Sequence, residues 1–296
     1  MFSKLLHAKP ASLGRLANAA LRKVFDEHEI LTRASAIAFD GLLAFIPTVT
    51  LYATIAAKLL PSLADPKQTG VVTAQEVLHF LQSIFPSAAA KIIQDQIVAM
   101  QALPSFETIS VVTVLGLYLG SGFFAELVNA VNHIYGIEEK RSFWQVRMVG
   151  LKLILLNTLT ILGSLILITG GPWIFQWLGS SELLGTLING FAVLVMVLIS
   201  FGITFKVAPA EPQKFNLISP GAVVGAVLFV VAGYGFRLWV SHVAHYEILY
   251  GALGSFMMIL VWSFLMSVVF LMATEMNKLA KYASELDEGN KEIDEC

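Results

Sequence analysis

The amino-acid sequence predicts an all-α polytopic membrane protein with six transmembrane helices. Hydrophobic residues make up 56% of the 296-residue chain and charged residues only 14%, whereas soluble globular proteins carry about 25% charged residues. Six apolar runs are each long enough to cross a bilayer core about 30 Å thick, which takes about 20 helical residues. Transmembrane β-strands would instead show alternating segments of about 10 residues. These observations exclude a soluble fold.

The six predicted spans are 34–60, 108–133, 149–171, 183–205, 218–240 and 250–278. Pro47 falls inside the first span and predicts a kink, because proline removes a helical hydrogen bond. Ser219 and Pro220 predict the start of the fifth helix, since serine caps a helix and proline is accepted at its first position.

Two further helical regions flank or interrupt the spans. The cytoplasmic segment 1–33 carries apolar residues at helical spacing, which predicts an amphipathic helix that either lies on the membrane surface or packs under the bundle. The connection 61–107 contains the capping-box pattern Thr73 to Glu76, and Pro86 divides it into two short extracytoplasmic helices. These helices either cover the mouth of a cavity or form a packed cap. The transmembrane domain extends over 34–280, and the acidic tail 281–296 is expected to be disordered after Ala283.

The basic residues predict the orientation of the chain. Fifteen of the 19 lysines and arginines fall in the N-terminal segment, beside the connections between spans two and three and between four and five, or after span six. Basic residues favour the cytoplasmic side. Both termini of this multi-pass protein are therefore predicted to be cytoplasmic.

Glycines at four-residue spacing predict close helix packing in two spans. Gly116 and Gly120 share one face of span two, and Gly221 and Gly225 share one face of span five. Small residues at this spacing let helix backbones approach closely in lipid.

Charged residues inside the spans form the candidate site. A charge at the bilayer centre costs about 2.5 kcal/mol or more, so it normally faces a partner or a watery cavity. By helical rise, three acids reach a similar depth near the inner boundary, with arginines available as partners. The predicted polar cavity or ion-pair cluster comprises Arg33, Asp40, Glu126, Asn129, Arg141 and Glu275. A functional cavity and a purely structural network both fit this pattern.

Catalytic motifs are sparse. The six histidines do not form a zinc-protease motif, and the single cysteine, Cys296, cannot form an intrachain disulfide. No nucleotide-binding loop or nucleophile elbow occurs, and the net charge of −2 does not favour nucleic-acid binding. We therefore expect no enzyme activity, no cofactor, no metal site and no nucleic-acid partner.

Three blocks of sequence resemble the YihY/virulence factor BrkB family of bacterial inner-membrane proteins. The first runs from Arg33 to Phe39 and is followed by Pro47. The second runs from Gly120 to Glu126 and leads to Asn129, Asn132, Tyr135, Arg141 and Trp144. The third comprises Ser219–Ala222, Tyr246, the motif from Tyr250 to Gly254, Trp262, and the run from Glu275 to Asn277. Asp40 departs from the family pattern, as does the Ala273–Thr274 pair.

The resemblance implies a six-helix membrane bundle and a role in the cell envelope. The family once carried a ribonuclease label, ribonuclease BN, which is regarded as a misassignment. We expect a transporter, or a protein that handles lipid or envelope precursors, without an ATPase of its own. Its expected partners are membrane lipids and a lipid or small-solute substrate, and a homo-oligomer is left open. The alternative is a structural or assembly factor for the envelope, and a membrane-bound ribonuclease is the least favoured hypothesis.

Overall fold

The protein is described by a computed structural model that covers residues 29–59, 106–177, 182–211, 213, 217–242 and 246–294. Within these ranges every regular element is an α-helix, as predicted. The six helices are α1 (Ile30–Leu59), α2 (Phe106–Tyr135), α3 (Phe143–Trp177), α4 (Glu182–Val207), α5 (Pro220–His242) and α6 (Tyr246–Asp294). The helix predicted within 1–28 and those predicted within 61–105 lie outside the described residues.

Each of the six helices covers most of one predicted span. Four of them contain segments long and apolar enough to cross a membrane. These segments are Thr113–Tyr135, Gly190–Val207, Pro220–Val240 and Phe256–Lys281. The count of six spans, with the first and third formed by α1 and α3, stays a prediction.

The helix boundaries follow local signals in the sequence. α2 ends at Tyr135 and is followed by Gly136, whose φ of +70° lies in the left-handed region that glycine adopts without strain. The amide of Gly136 donates to the carbonyl of His133 and that of Ile137 to the carbonyl of Asn132, which is the Schellman arrangement. α5 begins at Pro220, and the Ser219 Oγ accepts a hydrogen bond of 3.2 Å from the Ala222 amide.

The prediction of a disordered acidic tail was wrong for residues 284–294. α6 continues without interruption to Asp294. Only five of these eleven residues are strong helix formers (three glutamates, one leucine and one lysine), and the stretch also contains Gly289 and Asn290, so helix propensity does not account for it. Since the preceding spanning segment is already helical, each added residue gains a hydrogen bond without a new nucleation cost.

The helices pack in chain order as a closed ring. Each helix packs against its neighbour in the chain, α6 packs back against α1, and α6 also contacts α2. The core draws on all six helices, because its buried cluster includes residues of each. Its fully buried large side chains include Ile37, Val128, Ile134, Leu153 and Leu271.

Glycines occupy the closest helix contacts. A Cβ added to Gly116 would lie 2.9 Å from the Pro47 carbonyl oxygen, so α1 and α2 approach through their backbones. A Cβ on Gly221 would collide with the Ala273 carbonyl oxygen of α6. The other two predicted packing glycines also have close neighbours: Gly120 beside Ile154, and Gly225 beside Ala273 and Phe201. Further close approaches that were not predicted occur at Gly150 and Gly202, which face backbone atoms, and at Gly122, which faces the Arg147 side chain.

Candidate functional site

The predicted charged residues occupy different environments. Glu275 is 5% exposed and lies near the C-terminal end of the apolar segment Phe256–Lys281 of α6. Asp40 on α1 and Glu126 on α2 are partly buried, and Asn129 is exposed. Arg33 forms an ion pair of 3.7 Å with Glu29, one helical turn earlier. Of the predicted acids, Glu275 is therefore the most deeply buried.

Arg141 pairs with a residue that the sequence analysis did not select. Its guanidinium donates to both carboxylate oxygens of Glu139, with distances of 2.8 Å and 2.6 Å, and its backbone amide donates to Glu139 at 2.9 Å. The Arg141 guanidinium therefore holds the pKa of the Glu139 carboxyl below its usual range. Two opposite charges two residues apart in a short connection were the available signal for this pair.

The same ion pair joins two connections of the bundle. The Asn132 Nδ2 donates to Glu139 at 2.6 Å, and the Asn132 Oδ1 accepts from the Ala210 amide at 2.9 Å. Arg141 also donates to the Ala208 carbonyl at 3.0 Å. We call Asn132, Glu139 and Arg141, with the backbone of Ala208 and Ala210, the loop staple. It fastens the α2–α3 connection to the residues that follow α4.

A second polar group lies where α6 meets the start of α5. Asn277 is fully buried, and its Oδ1 accepts a hydrogen bond of 2.7 Å from the Gly221 amide. The first amides of a helix have no partner within the helix, so a side chain of α6 here caps α5. Ser219, which caps the same helix end from its own chain segment, is also buried.

Tyr135, the last residue of α2, completes this group. Its hydroxyl lies near the side chains of Asn277 and Glu275, but no described atom completes a hydrogen bond of good geometry to it. The Asn277 Nδ2 is also buried, and no described atom accepts a hydrogen bond from it. We call Tyr135, Ser219, Gly221, Glu275 and Asn277 the Asn277 site.

The Asn277 site combines unused hydrogen-bonding capacity with a carboxylate. A buried polar atom without a partner costs about 1–3 kcal/mol, and such atoms are rare in native proteins. The hydroxyl of Tyr135 can donate or accept, and the amide of Asn277 can donate. The site can therefore bind a polar group with an acceptor atom, or hold a water that relays a proton to Glu275.

Among the described residues, no group of three histidine, cysteine, aspartate or glutamate side chains is arranged to hold a metal ion. The polar atoms of the Asn277 site suit an organic ligand or water.

The proposed convergence of Asp40, Glu126 and Glu275 on one cavity stays a prediction. Glu126 precedes Tyr135 by nine residues on α2, which is two and a half turns at 3.6 residues per turn. Glu126 therefore lies on the opposite face of α2 from the Asn277 site. A cavity shared by all three acids would have to reach both sides of that helix.

Comparison with known proteins identifies similar chains. The family model described as virulence factor BrkB matches residues 21–294. The ribonuclease-like protein YfkH of Bacillus subtilis (strain 168) is 24% identical over 273 residues, which cover 89% of this chain and 94% of YfkH. A UPF0761 membrane protein of Prosthecochloris aestuarii is 24% identical over 260 residues, which cover 87% of this chain and 59% of that protein. No solved structure matches the chain.

Proposed function

Because the chain belongs to the virulence factor BrkB family, whose relatives include UPF0761 membrane proteins, we propose that it transports or handles a lipid or envelope precursor in the bacterial inner membrane. It does so without an ATPase of its own. The Asn277 site carries this proposal. We assign to it the binding of a polar headgroup or a proton, and not a chemical reaction.

Burial without complete hydrogen bonding is the observation that supports this role. A side chain that serves only to hold helices together gains most when all its polar atoms are paired. At Asn277 the Oδ1 is paired, whereas the Nδ2 has no partner among the described residues. Such residual capacity at a buried site favours a ligand or a transported ion, because a bound polar group would recover the lost hydrogen bond.

The alternative, a structural or assembly factor, is favoured by the loop staple. The carboxylate of Glu139 is bound by both Arg141 and Asn132. A network as complete as this one fixes the relative position of two connections and leaves little capacity for a ligand. The two hypotheses therefore assign function to different parts of the molecule.

The ribonuclease-like name belongs to YfkH. The sequence of this chain shows no catalytic motif that would support such an activity, and RNA cleavage is not part of the proposal.

A substitution at Asn277 tests the proposal. Full-length protein in liposomes that contain a fluorescent phosphatidylglycerol should speed movement of this probe across the bilayer, and native mass spectrometry should detect a co-purifying lipid or solute. Asn277→Leu should reduce both signals at least about tenfold, since one buried hydrogen bond to a polar ligand contributes about 1.4 kcal/mol or more. Tyr135→Phe should reduce them without lowering the unfolding temperature, because it removes a hydroxyl that lacks a complete hydrogen bond.

Ser267→Ala is the matched control. Ser267 is equally buried on α6, but its hydroxyl already donates to the Ser263 carbonyl within the helix. This variant should behave as wild type. If the wild type moves no probe and carries no bound molecule, or if folded Asn277→Leu retains both signals, the proposal is wrong.

A further inference from the structure

Arg147 is held in a fixed position between α2 and α3. Its Nη1 donates to the Tyr118 carbonyl at 2.8 Å and to the Ser121 Oγ at 3.1 Å. The guanidinium carbon lies 4.8 Å from the ring centre of Tyr118 and 5.2 Å from that of Phe143. Both distances are within the range of cation–π attraction.

Glycines on both helices, Gly122 on α2 and Gly150 on α3, make this position possible. A Cβ on Gly122 would lie 2.9 Å from the Arg147 Nη1, and a Cβ on Gly150 would lie 2.6 Å from the Ser121 carbonyl oxygen. The backbones of α2 and α3 are therefore close enough for the guanidinium to lie flat against α2. An arginine fixed in this way loses little further conformational entropy when it binds a ligand.

The charge of Arg147 has no anionic partner in the part of the chain that the structure describes, where the recorded arginine ion pairs belong to Arg33 and Arg141. Arg147 is the fifth residue of α3, whose first turn contains no acidic residue. The positive end of the helix dipole therefore adds to the arginine charge. The Arg147 Nε is also buried without a hydrogen-bond partner.

The surface beside Arg147 is apolar and exposed. Phe143 and Tyr118 are more than half exposed. Further along α3, a stripe of exposed side chains continues on one face at helical spacing: Trp144, Met148, Leu155 and Leu159. Aromatic residues at the end of a spanning helix are typical of the membrane interface, and the apolar stripe has the chemistry of an acyl chain.

We propose that Arg147 binds the phosphate of an anionic glycerophospholipid whose acyl chain lies along this stripe of α3. Arg147 lies about 6 Å along the helix from Phe143 by helical rise, which places the guanidinium just below the aromatic residues. Guanidinium and phosphate form short, charge-assisted hydrogen bonds, and the start of α3 favours an anion. With the predicted orientation, the lipid belongs to the inner leaflet. The site is separate from the Asn277 site and does not depend on transport.

The test is lipid binding to the full-length protein in detergent, followed by native mass spectrometry. Dioleoyl phosphatidylglycerol is titrated against dioleoyl phosphatidylcholine, which has the same acyl chains and no net charge. We expect wild type to retain one phosphatidylglycerol that phosphatidylcholine does not replace, and this binding should weaken as salt rises. Arg147→Gln should weaken it about tenfold or more, which corresponds to about 1.4 kcal/mol for one charge-assisted contact.

Lys206→Gln is the control variant, because Lys206 is an exposed cation in the last turn of the neighbouring helix α4. It should bind phosphatidylglycerol as wild type does. Arg147→Lys keeps the charge but loses the planar stacking, so it should bind phosphatidylglycerol with intermediate affinity. If Arg147→Gln does not fold, the binding of Arg147→Lys tests the proposal instead.

Three outcomes would overturn the proposal. The first is equal binding of the two lipids by wild type. The second is unchanged phosphatidylglycerol binding by Arg147→Gln or, where that variant does not fold, by Arg147→Lys. The third is displacement of the lipid by soluble glycerol 3-phosphate at the same concentration as phosphatidylglycerol, because the site would then recognise a free phosphate rather than a lipid.

Discussion

Glu139 and Arg141 are separated by one residue, so a short connection is enough to hold both in a bidentate pair. Two parallel N–H···O bonds match the geometry of guanidinium and carboxylate. The third partner, Asn132, lies at the end of α2. Its Nδ2 donates a hydrogen bond to Glu139, and its Oδ1 accepts one from the Ala210 amide. A single carboxylate therefore organises contacts between two connections that are far apart in sequence.

This arrangement predicts an acid-sensitive contribution to stability. The pKa of Glu139 is lower in the folded protein than its ordinary value of 4.5. The stabilisation is therefore complete above pH about 4.5 and is lost as the pH falls through the folded-state pKa. In unfolding scans from pH 7 to pH 3, Glu139→Gln should be less stable than wild type at neutral pH, and the difference should shrink in acid.

The neighbouring residue provides the control for this prediction. Glu138 is exposed, and Glu138→Gln should follow the wild-type pH profile. A difference between wild type and Glu139→Gln that stays constant down to pH 3 would contradict the prediction.

Sequence reasoning found Glu275 and Arg141 but not their surroundings. Charged residues in apolar runs are visible without a structure, because their burial is costly. The contact between Asn277 and Gly221 joins residues 56 positions apart, and it depends on how α6 crosses the start of α5. Periodicity within one helix does not contain that information.

At the scale of helices, the glycines of α5 differ sharply in their surroundings. Gly221 faces the Ala273 backbone, whereas Gly235 has no atom of the described residues near the place where a Cβ would be. The sequence alone could not distinguish the open positions of Gly233 and Gly235 from tight ones. The tight positions depend on the distance between neighbouring helices.

The two glycines predict opposite effects of alanine. Gly221→Ala should lower the free energy of unfolding by about 1–3 kcal/mol, the usual cost of overpacking a close contact. Gly235→Ala should leave stability unchanged or raise it by up to about 1 kcal/mol, because alanine has the higher helix propensity. Denaturant unfolding in mixed micelles measures both. Equal effects of the two substitutions would mean that α5 and α6 are not in close contact at Gly221.

The boundaries of the helices were predictable to within a few residues where local chemistry marks them. Ser219 and Pro220 predict the start of α5, and the structure begins that helix at Pro220. The end of α6 was misjudged because acidic composition was taken as a sign of disorder. Continuation of an established helix, which needs no new nucleation, was the stronger factor there.

At the scale of the whole molecule, the closed ring is compatible with the alternating orientation predicted from basic residues. Neighbouring helices in the ring follow one another in the chain, which fits a protein that crosses the membrane alternately in each direction. The ring itself could not be predicted from sequence, because it requires the contact between α6 and α1. The order of the helices was predictable from hydropathy alone.

Cysteine labelling tests the orientation. Cysteines introduced at Gln68 and Ser180 should react with a membrane-impermeant maleimide in intact cells, because the predicted topology puts both connections outside. Native Cys296, the only cysteine of the sequence, should react only after permeabilisation. Labelling of Cys296 in intact cells would invert the topology and would place the Arg147 lipid in the outer leaflet.

The loop staple also limits how the ring can open at its inner end. It ties the α2–α3 connection to the residues that follow α4, so α2, α3 and α4 cannot separate at that end without breaking these hydrogen bonds. α6 is joined to the start of α5 by the Asn277–Gly221 hydrogen bond and to Gln213 by an exposed bond from Lys281. A movement of α6 away from the start of α5 would therefore have to break the hydrogen bond of Asn277.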